Sequence, residues 1–185
     1  MNLTEEKNLA GCCGLYCGLC PRHQSTAASK CPGCKILSLQ LSCKLYNCCV
    51  KKNGLETCAA CSDFPCEKYD RFFDGDSFIS HRVCLPNIER IQKVGLIKWL
   101  RQQSKRRQTL ENLLAGYNEG RSCSFYCVAA ALMPPQLIAK AVKQAQKTTA
   151  AEQVADSDIK SKARILRATI QDFAFKADTD LKLRH

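Results

Sequence analysis

Apolar and polar positions follow different rules in the two halves of this chain. From about residue 84 onward, apolar residues recur at helical spacing. Ile88, Ile91 and Val94 follow Pro86, and Gly95 interrupts. Leu96 to Arg107 continues with Trp99 and Leu100 on one side, and Thr109 to Gly116 reads as a short amphipathic helix. Ser122 to Met133 is apolar nearly all round, which predicts a buried central helix. Pro134-Pro135 stops it and starts the next, Gln136 to Lys147. Thr148 to Ala155 is small and polar, a linker or a frayed end. Asp156 or Ser157 then caps a last helix with the stripe Ile159, Ala163, Leu166, Ile170 and Phe173. That stripe is too short for a coiled-coil seam and predicts packing within the domain.

Before residue 82 this periodicity is missing. Leu, Ile, Val and Phe are sparse, and Gly, Pro and Cys dominate, so loops and short helices are expected. Such a segment cannot bury a large core and needs a staple, for which metal is the usual solution. A turn at Asp74-Gly75-Asp76 marks the boundary. The expected architecture is mainly α: an irregular, metal-stapled cysteine-rich module over 1–81 and a helical basic domain over 82–185.

Composition sharpens this picture. The 45% apolar share excludes wholesale disorder. No apolar run approaches the roughly 20 residues of a spanning helix. The start, Met1 to Lys7, has no apolar segment of a secretory signal. The expectation is a cytoplasmic protein without a membrane association, where dense cysteines bind metal more often than they form disulfides. The odd count of 15 cysteines also argues against complete pairing.

Charge divides unevenly. The net is +11, of which residues 82–185 supply +10. Lys105-Arg106-Arg107 is the densest run, and Lys160, Lys162, Arg164 and Arg167 lie off the last helix's apolar stripe. A basic face can neutralise phosphates, so nucleic-acid binding is one alternative. Charge runs are usually solvated faces, however, and only Trp99 and Tyr117 stand near for base stacking.

The strongest signal is the cysteine spacing. Cys13, Cys17 and Cys20 form C-x3-C-x2-C, Cys31 and Cys34 form C-x2-C, Cys43 precedes Cys48-Cys49, and Cys58-Ala-Ala-Cys61 is followed by Cys66. A C-x2-C turn puts two sulfurs on one side of a tight loop, and two such pairs complete a four-thiolate site. Thiolate fours suit zinc or iron–sulfur clusters. Zinc, as two or more ions, is the first reading. An iron–sulfur redox or sensor centre is the alternative, although the ferredoxin run C-x2-C-x2-C-x3-C-P is absent. His23 can substitute for one thiolate, and His81 and His185 read as non-ligands. Cys12 is set aside as a small residue beside Cys13. Cys84 is ambiguous, and Cys123 and Cys127 read as buried small apolar residues.

The stretch Cys13-Gly14-Leu15-Tyr16-Cys17-Gly18-Leu19-Cys20-Pro21 resembles the opening motif of the domain of unknown function 3795 family, a cysteine-rich bacterial and archaeal group. Cys31-Pro32-Gly33-Cys34 and Asn53 to Glu67 extend the resemblance, as do Val94 to Leu100 and Asp180 to Arg184. The resemblance implies zinc bound through Cys13, Cys17, Cys20, Cys31, Cys34, Cys43, Cys48 or Cys49, Cys58, Cys61 and Cys66, with no established activity. Many relatives carry a further cysteine pair where this chain has Arg106-Arg107-Gln108-Thr109. No nucleophile elbow, P-loop, zincin or dinucleotide motif is present, so the reading leans away from an enzyme. An interaction or regulatory role with an unknown protein partner is expected, and the oligomeric state is left open.

Overall fold

The helical periodicity of the second half is realised as long helices, described in a computed structural model covering residues 2–37, 42–70 and 74–184. His185 lies outside the described residues. The chain divides into two compact units, Met1–Lys105 with Leu183–His185, and Arg106–Lys182. The change of composition near residue 81 does not coincide with this division, because residues 82–105 pack with the cysteine-rich segment.

The first unit begins with α1 (Leu3–Leu9), whose N-cap Asn2 accepts from the Thr4 and Glu5 amides. Short elements follow: α2 (Pro21–Gln24), then α3 (Lys44–Tyr46) running into a π-helical turn at Asn47–Lys52. Single 3₁₀ turns lie at Cys17–Leu19, Cys58–Ala60, Glu67–Tyr69 and His81–Val83. Then come α4 (Cys84–Val94) and the start of α5 (Leu96–Tyr117), separated by Gly95. Among the described residues no strand forms; one antiparallel bridge pairs Ala10 with Tyr16.

The core of this unit is small. Tyr16 and Trp99 meet edge to face at 6.1 Å between centroids, and both are fully buried with Leu9, Ile88 and Leu100. The Tyr16 hydroxyl donates to the buried Glu6 carboxylate. Trp99 Nε1 donates to Asn87 Oδ1 at 3.3 Å, and Asn87 Nδ2 donates to the Gly14 carbonyl at 2.8 Å. Aromatic and amide partners thus tie the first cysteine motif to α4 and α5.

The second unit is built from the rest of α5, α6 (Cys123–Leu132), α7 (Pro135–Ala151) and α8 (Ile159–Lys176). Ile138, Ala141 and Ala145 of α7 and Ala163, Leu166, Ile170 and Ala174 of α8 are buried at helical spacing. The small residues let α7 and α8 approach closely, and these two helices pack extensively on each other. Tyr126 to Ala130 of α6 are buried throughout, as the all-round apolar pattern predicts.

Three expectations are corrected or narrowed. Leu96–Tyr117 is one helix rather than two, since no Gly or Pro interrupts it before Gly116. Thr148 to Ala151 continue α7, which agrees with the helix-end alternative and not with the linker. The cap of α8 is Asp158, whose carboxylate accepts from the Ser161 amide at 3.0 Å, rather than Asp156 or Ser157. Among the described residues, no helix is long and apolar enough to cross a membrane.

Basic residues in α5 also have internal roles. Arg106 donates to the carbonyls of Ala130 (2.9 Å) and Met133 (2.7 Å), closing the C-terminus of α6. Arg107 pairs with Glu111 at 3.7 Å.

The chain end returns to the first unit. The Asp76 carboxylate is fully buried and accepts from the His81 amide (2.7 Å), the Arg184 amide (3.0 Å) and the Arg184 guanidinium (3.3 Å). The Asp76 amide in turn donates to the Arg184 carbonyl at 2.8 Å. Burial opposes ionisation here, but the two amides and the guanidinium outweigh it and hold the carboxyl at about 2. Because the folded value lies below the unfolded one, this stabilisation is complete above about pH 4 and is lost as pH falls through the folded value. Asp76→Ala is expected to cost about 1–3 kcal/mol at neutral pH. In urea titrations, the gap to wild type should narrow between about pH 4 and pH 2.

Candidate metal centre

The cysteine positions are set by turns. The Gly11 amide donates to the Leu15 carbonyl at 2.8 Å and the Gly14 amide to the Gly11 carbonyl at 3.1 Å, so Cys12 and Cys13 ride a tight loop closed by the Ala10–Tyr16 bridge. The Cys58 amide donates to the Cys12 carbonyl at 2.9 Å, which lays the Cys58–Ala60 turn against that loop. The π-helical turn supplies Cys49. π turns recur at functional sites because the extra residue redirects a side chain.

Three sulfurs meet there. The ligand atoms of Cys12, Cys49 and Cys58 all lie within 4.8 Å of one another, and all three residues are buried. The thiols of Cys12 and then Cys49 hydrogen-bond to Cys58 and hold it far below the ordinary thiol range. The Tyr69 hydroxyl, burial of which raises its own pKa, also bonds to Cys58. Contact with Cys49, then with Cys58, pushes Cys12 far above that range. One thiolate is therefore stabilised at the cost of its neighbours keeping their protons. A cation in the same place removes that conflict, and a set of three thiols can hold a metal ion.

The other cysteines distribute around two cavities. The smaller, of about 20 Å³, is lined by Cys48, Cys49, Cys58, Cys61 and Cys66 with Leu45, Phe64 and Tyr69. Cys61 closes the Cys58 turn, its amide donating to the Cys58 carbonyl at 3.1 Å. Cys48 accepts from Asn53 Nδ2 at 3.6 Å. The larger cavity, of about 250 Å³, is lined by Cys13, Cys17, Cys20, Cys31, Cys34 and Cys43, with Cys12 also on its wall. Here the Cys34 amide donates to the Cys17 sulfur at 3.3 Å. The Cys17 thiol in turn holds Cys34 down at about 7. Burial raises Cys20 against the opposing amides of Arg22 and His23. Burial likewise raises Cys43. The His23 ring sits 2.9 Å from the Cys31 carbonyl through Nδ1.

All eleven cysteines singled out by spacing thus face one of two cavities. Among the described residues, only Cys49 and Cys58 of that set join a three-ligand convergence, and the third member is Cys12, which sequence reasoning set aside. Adjacency to Cys13 gave no means of choosing, since the loop geometry decides which way each thiol points. Cys84 was a second omission. It is completely buried at the first turn of α4, and contact with the Cys13 thiol pushes its pKa up. Cys127 is buried in α6, in line with an apolar role, while Cys123 is half-buried and is lowered to about 7 by the Cys127 thiol.

The glycines of the motif are explained by packing. Gly14 has φ +92°, and a Cβ there would stand 2.4 Å from the Cys84 carbonyl. A Cβ on Gly18 would meet the Tyr16 ring at 2.4 Å. Gly14→Ala is expected to push α4 off the Cys12–Cys13 loop. It should lower the melting temperature by several degrees and speed the reaction of buried thiols with a colorimetric thiol reagent, relative to wild type.

Searches among curated proteins and solved structures each returned no match. A family model matches residues 9–71, which contain every cysteine of both cavity linings and stop short of Val94–Leu100 and Asp180–Arg184. That cysteine-rich segment, about a third of the chain, matches the family model described as Protein of unknown function (DUF3795).

Proposed function

We propose that this chain is a thiolate metal-binding protein in which a zinc ion on Cys12, Cys49 and Cys58 staples the first unit. The observation that supports this reading is the convergence of three buried sulfurs from three separate turns. Tetrahedral zinc with bonds of about 2.3 Å draws its sulfurs to about 3.8 Å apart, a small contraction from the observed grouping. Cys61 supplies the fourth thiolate, since it shares the C-x2-C turn of Cys58 and lies near enough to act on Cys49 electrostatically. Four thiolates leave zinc no open position, so the ion is structural and the chain works by interaction or regulation rather than turnover.

Protein purified without added metal should contain zinc by elemental analysis, and Cys58→Ser should lose about one equivalent. Structural zinc contributes on the order of 10 kcal/mol to small domains, so the same variant, and wild type after strong chelation, should lose the cooperative unfolding of the first unit. A Cys58→Ser protein that keeps its full zinc content and melts like wild type would refute the reading.

A further inference from the structure

The large thiol cavity is a different kind of site. The four sulfurs of its two C-x2-C turns, Cys17 with Cys20 and Cys31 with Cys34, line one void of about 250 Å³. A single tetrahedral ion would leave no such void, because its ligands close to about 3.8 Å from one another. Here, among the described residues, no third ligand atom joins the touching Cys17 and Cys34 thiols within 4.8 Å. Two zinc ions bridged by thiolates would need tighter convergence still, since a bridging sulfur serves both ions. The void also exceeds the roughly 150 Å³ of a cavity that admits a benzene ring.

The wall chemistry is equally specific. Arg22, His23, Lys35 and His81 line the cavity, and no Asp or Glu does so among the described residues. Leu15, Leu37 and Ile79 fill much of the remainder. The amides of Arg22 and His23 bond to the Cys20 sulfur, and the Cys34 amide to the Cys17 sulfur. Amide bonds to sulfur, flanking cations and an apolar shell are the features that hold an anionic thiolate cluster and shield it from water. Arg22 also stacks on the half-exposed Phe78 ring at 4.9 Å, which places one face of the site near the surface.

We infer that this cavity binds a four-iron iron–sulfur cluster through Cys17, Cys20, Cys31 and Cys34. In a cubane each thiolate binds a different corner iron, so the touching Cys17 and Cys34 thiols would part around the core, for which the void they line leaves room. Each thiol gives up its proton and bonds one iron. The cluster ligands are distinct from the zinc ligands proposed above, Cys12, Cys49, Cys58 and Cys61, so the two assignments stand or fall independently.

The test is anaerobic purification of the full chain, followed where needed by reconstitution with ferric iron, sulfide and a thiol reductant. Wild type should be brown, with about four irons and four sulfides per chain beside its zinc. The double variant Cys20→Ala/Cys31→Ala should lose the visible absorption and the iron but keep the zinc equivalent of Cys58. Its helicity by circular dichroism should remain, since α4 to α8 carry most of it. Cys43→Ala, which alters the same wall but is not one of the four ligands, should keep the cluster and guards against a general packing effect. A colourless chain with zinc filling the site would overturn the inference. So would two irons per chain, or a double variant that stays brown with its iron content unchanged. Loss of zinc in Cys58→Ser with the cluster intact would bear on the zinc centre alone.

Discussion

The constraint on which the first unit depends is that many thiols are held in one small core. Twelve cysteines fall within residues 12–66, and turns rather than long helices carry them. Burial disfavours thiolates, and neighbouring thiolates disfavour one another. The result is visible at Cys12, Cys49 and Cys58, where one sulfur is stabilised as an anion only because the others donate to it. A cation is the natural counterpart of such an arrangement. Bound there, it would convert three mutually opposed groups into ligands and would supply the cohesion that sparse Leu, Ile and Val cannot.

The non-cysteine residues of the motif give this centre its frame. Gly14 allows the loop to approach the Cys84 carbonyl, while Asn87 bonds to Gly14 and Trp99 bonds to Asn87. Tyr16 packs its ring edge against Trp99 and donates to the buried Glu6. The loop bearing Cys12 and Cys13 is thereby fixed to α1, α4 and α5. The C-terminal Arg184 has a similar place. It exchanges hydrogen bonds with Asp76, whose next neighbours Ser77, Phe78 and Ile79 line the large thiol cavity. Residues distant in sequence from the cysteines thus hold the walls of the cavities they line.

Much of this was legible in the sequence, and the exceptions have physical reasons. The all-round apolar Tyr126 to Ala130 segment and the Ala163–Leu166–Ile170 stripe encode their own burial. The cysteine spacings encode the gathering of thiols, because C-x2-C turns bring sulfurs to one side whatever the rest of the chain does. Which thiols meet is another matter. Cys12 joins Cys49 and Cys58 through a backbone bond between loops 46 residues apart, and Cys84 reaches Cys13 from the start of α4. No local pattern contains either meeting. The cap of α8 was ambiguous for a simpler reason: Asp156, Ser157 and Asp158 are all good caps, and only the reach to the Ser161 amide decides. Arg106 looked like a solvated cation by composition and is instead bonded to two carbonyls at the end of α6.

The central claim is that buried thiolates of the first unit hold a metal ion, with Cys12 among them. X-ray absorption at the zinc edge, on wild-type protein and on Cys12→Ser, tests it most directly. The account predicts an all-sulfur shell near about 2.3 Å in wild type, and loss of that zinc in the variant. A shell of nitrogen and oxygen, or a zinc spectrum unchanged by Cys12→Ser, would contradict it.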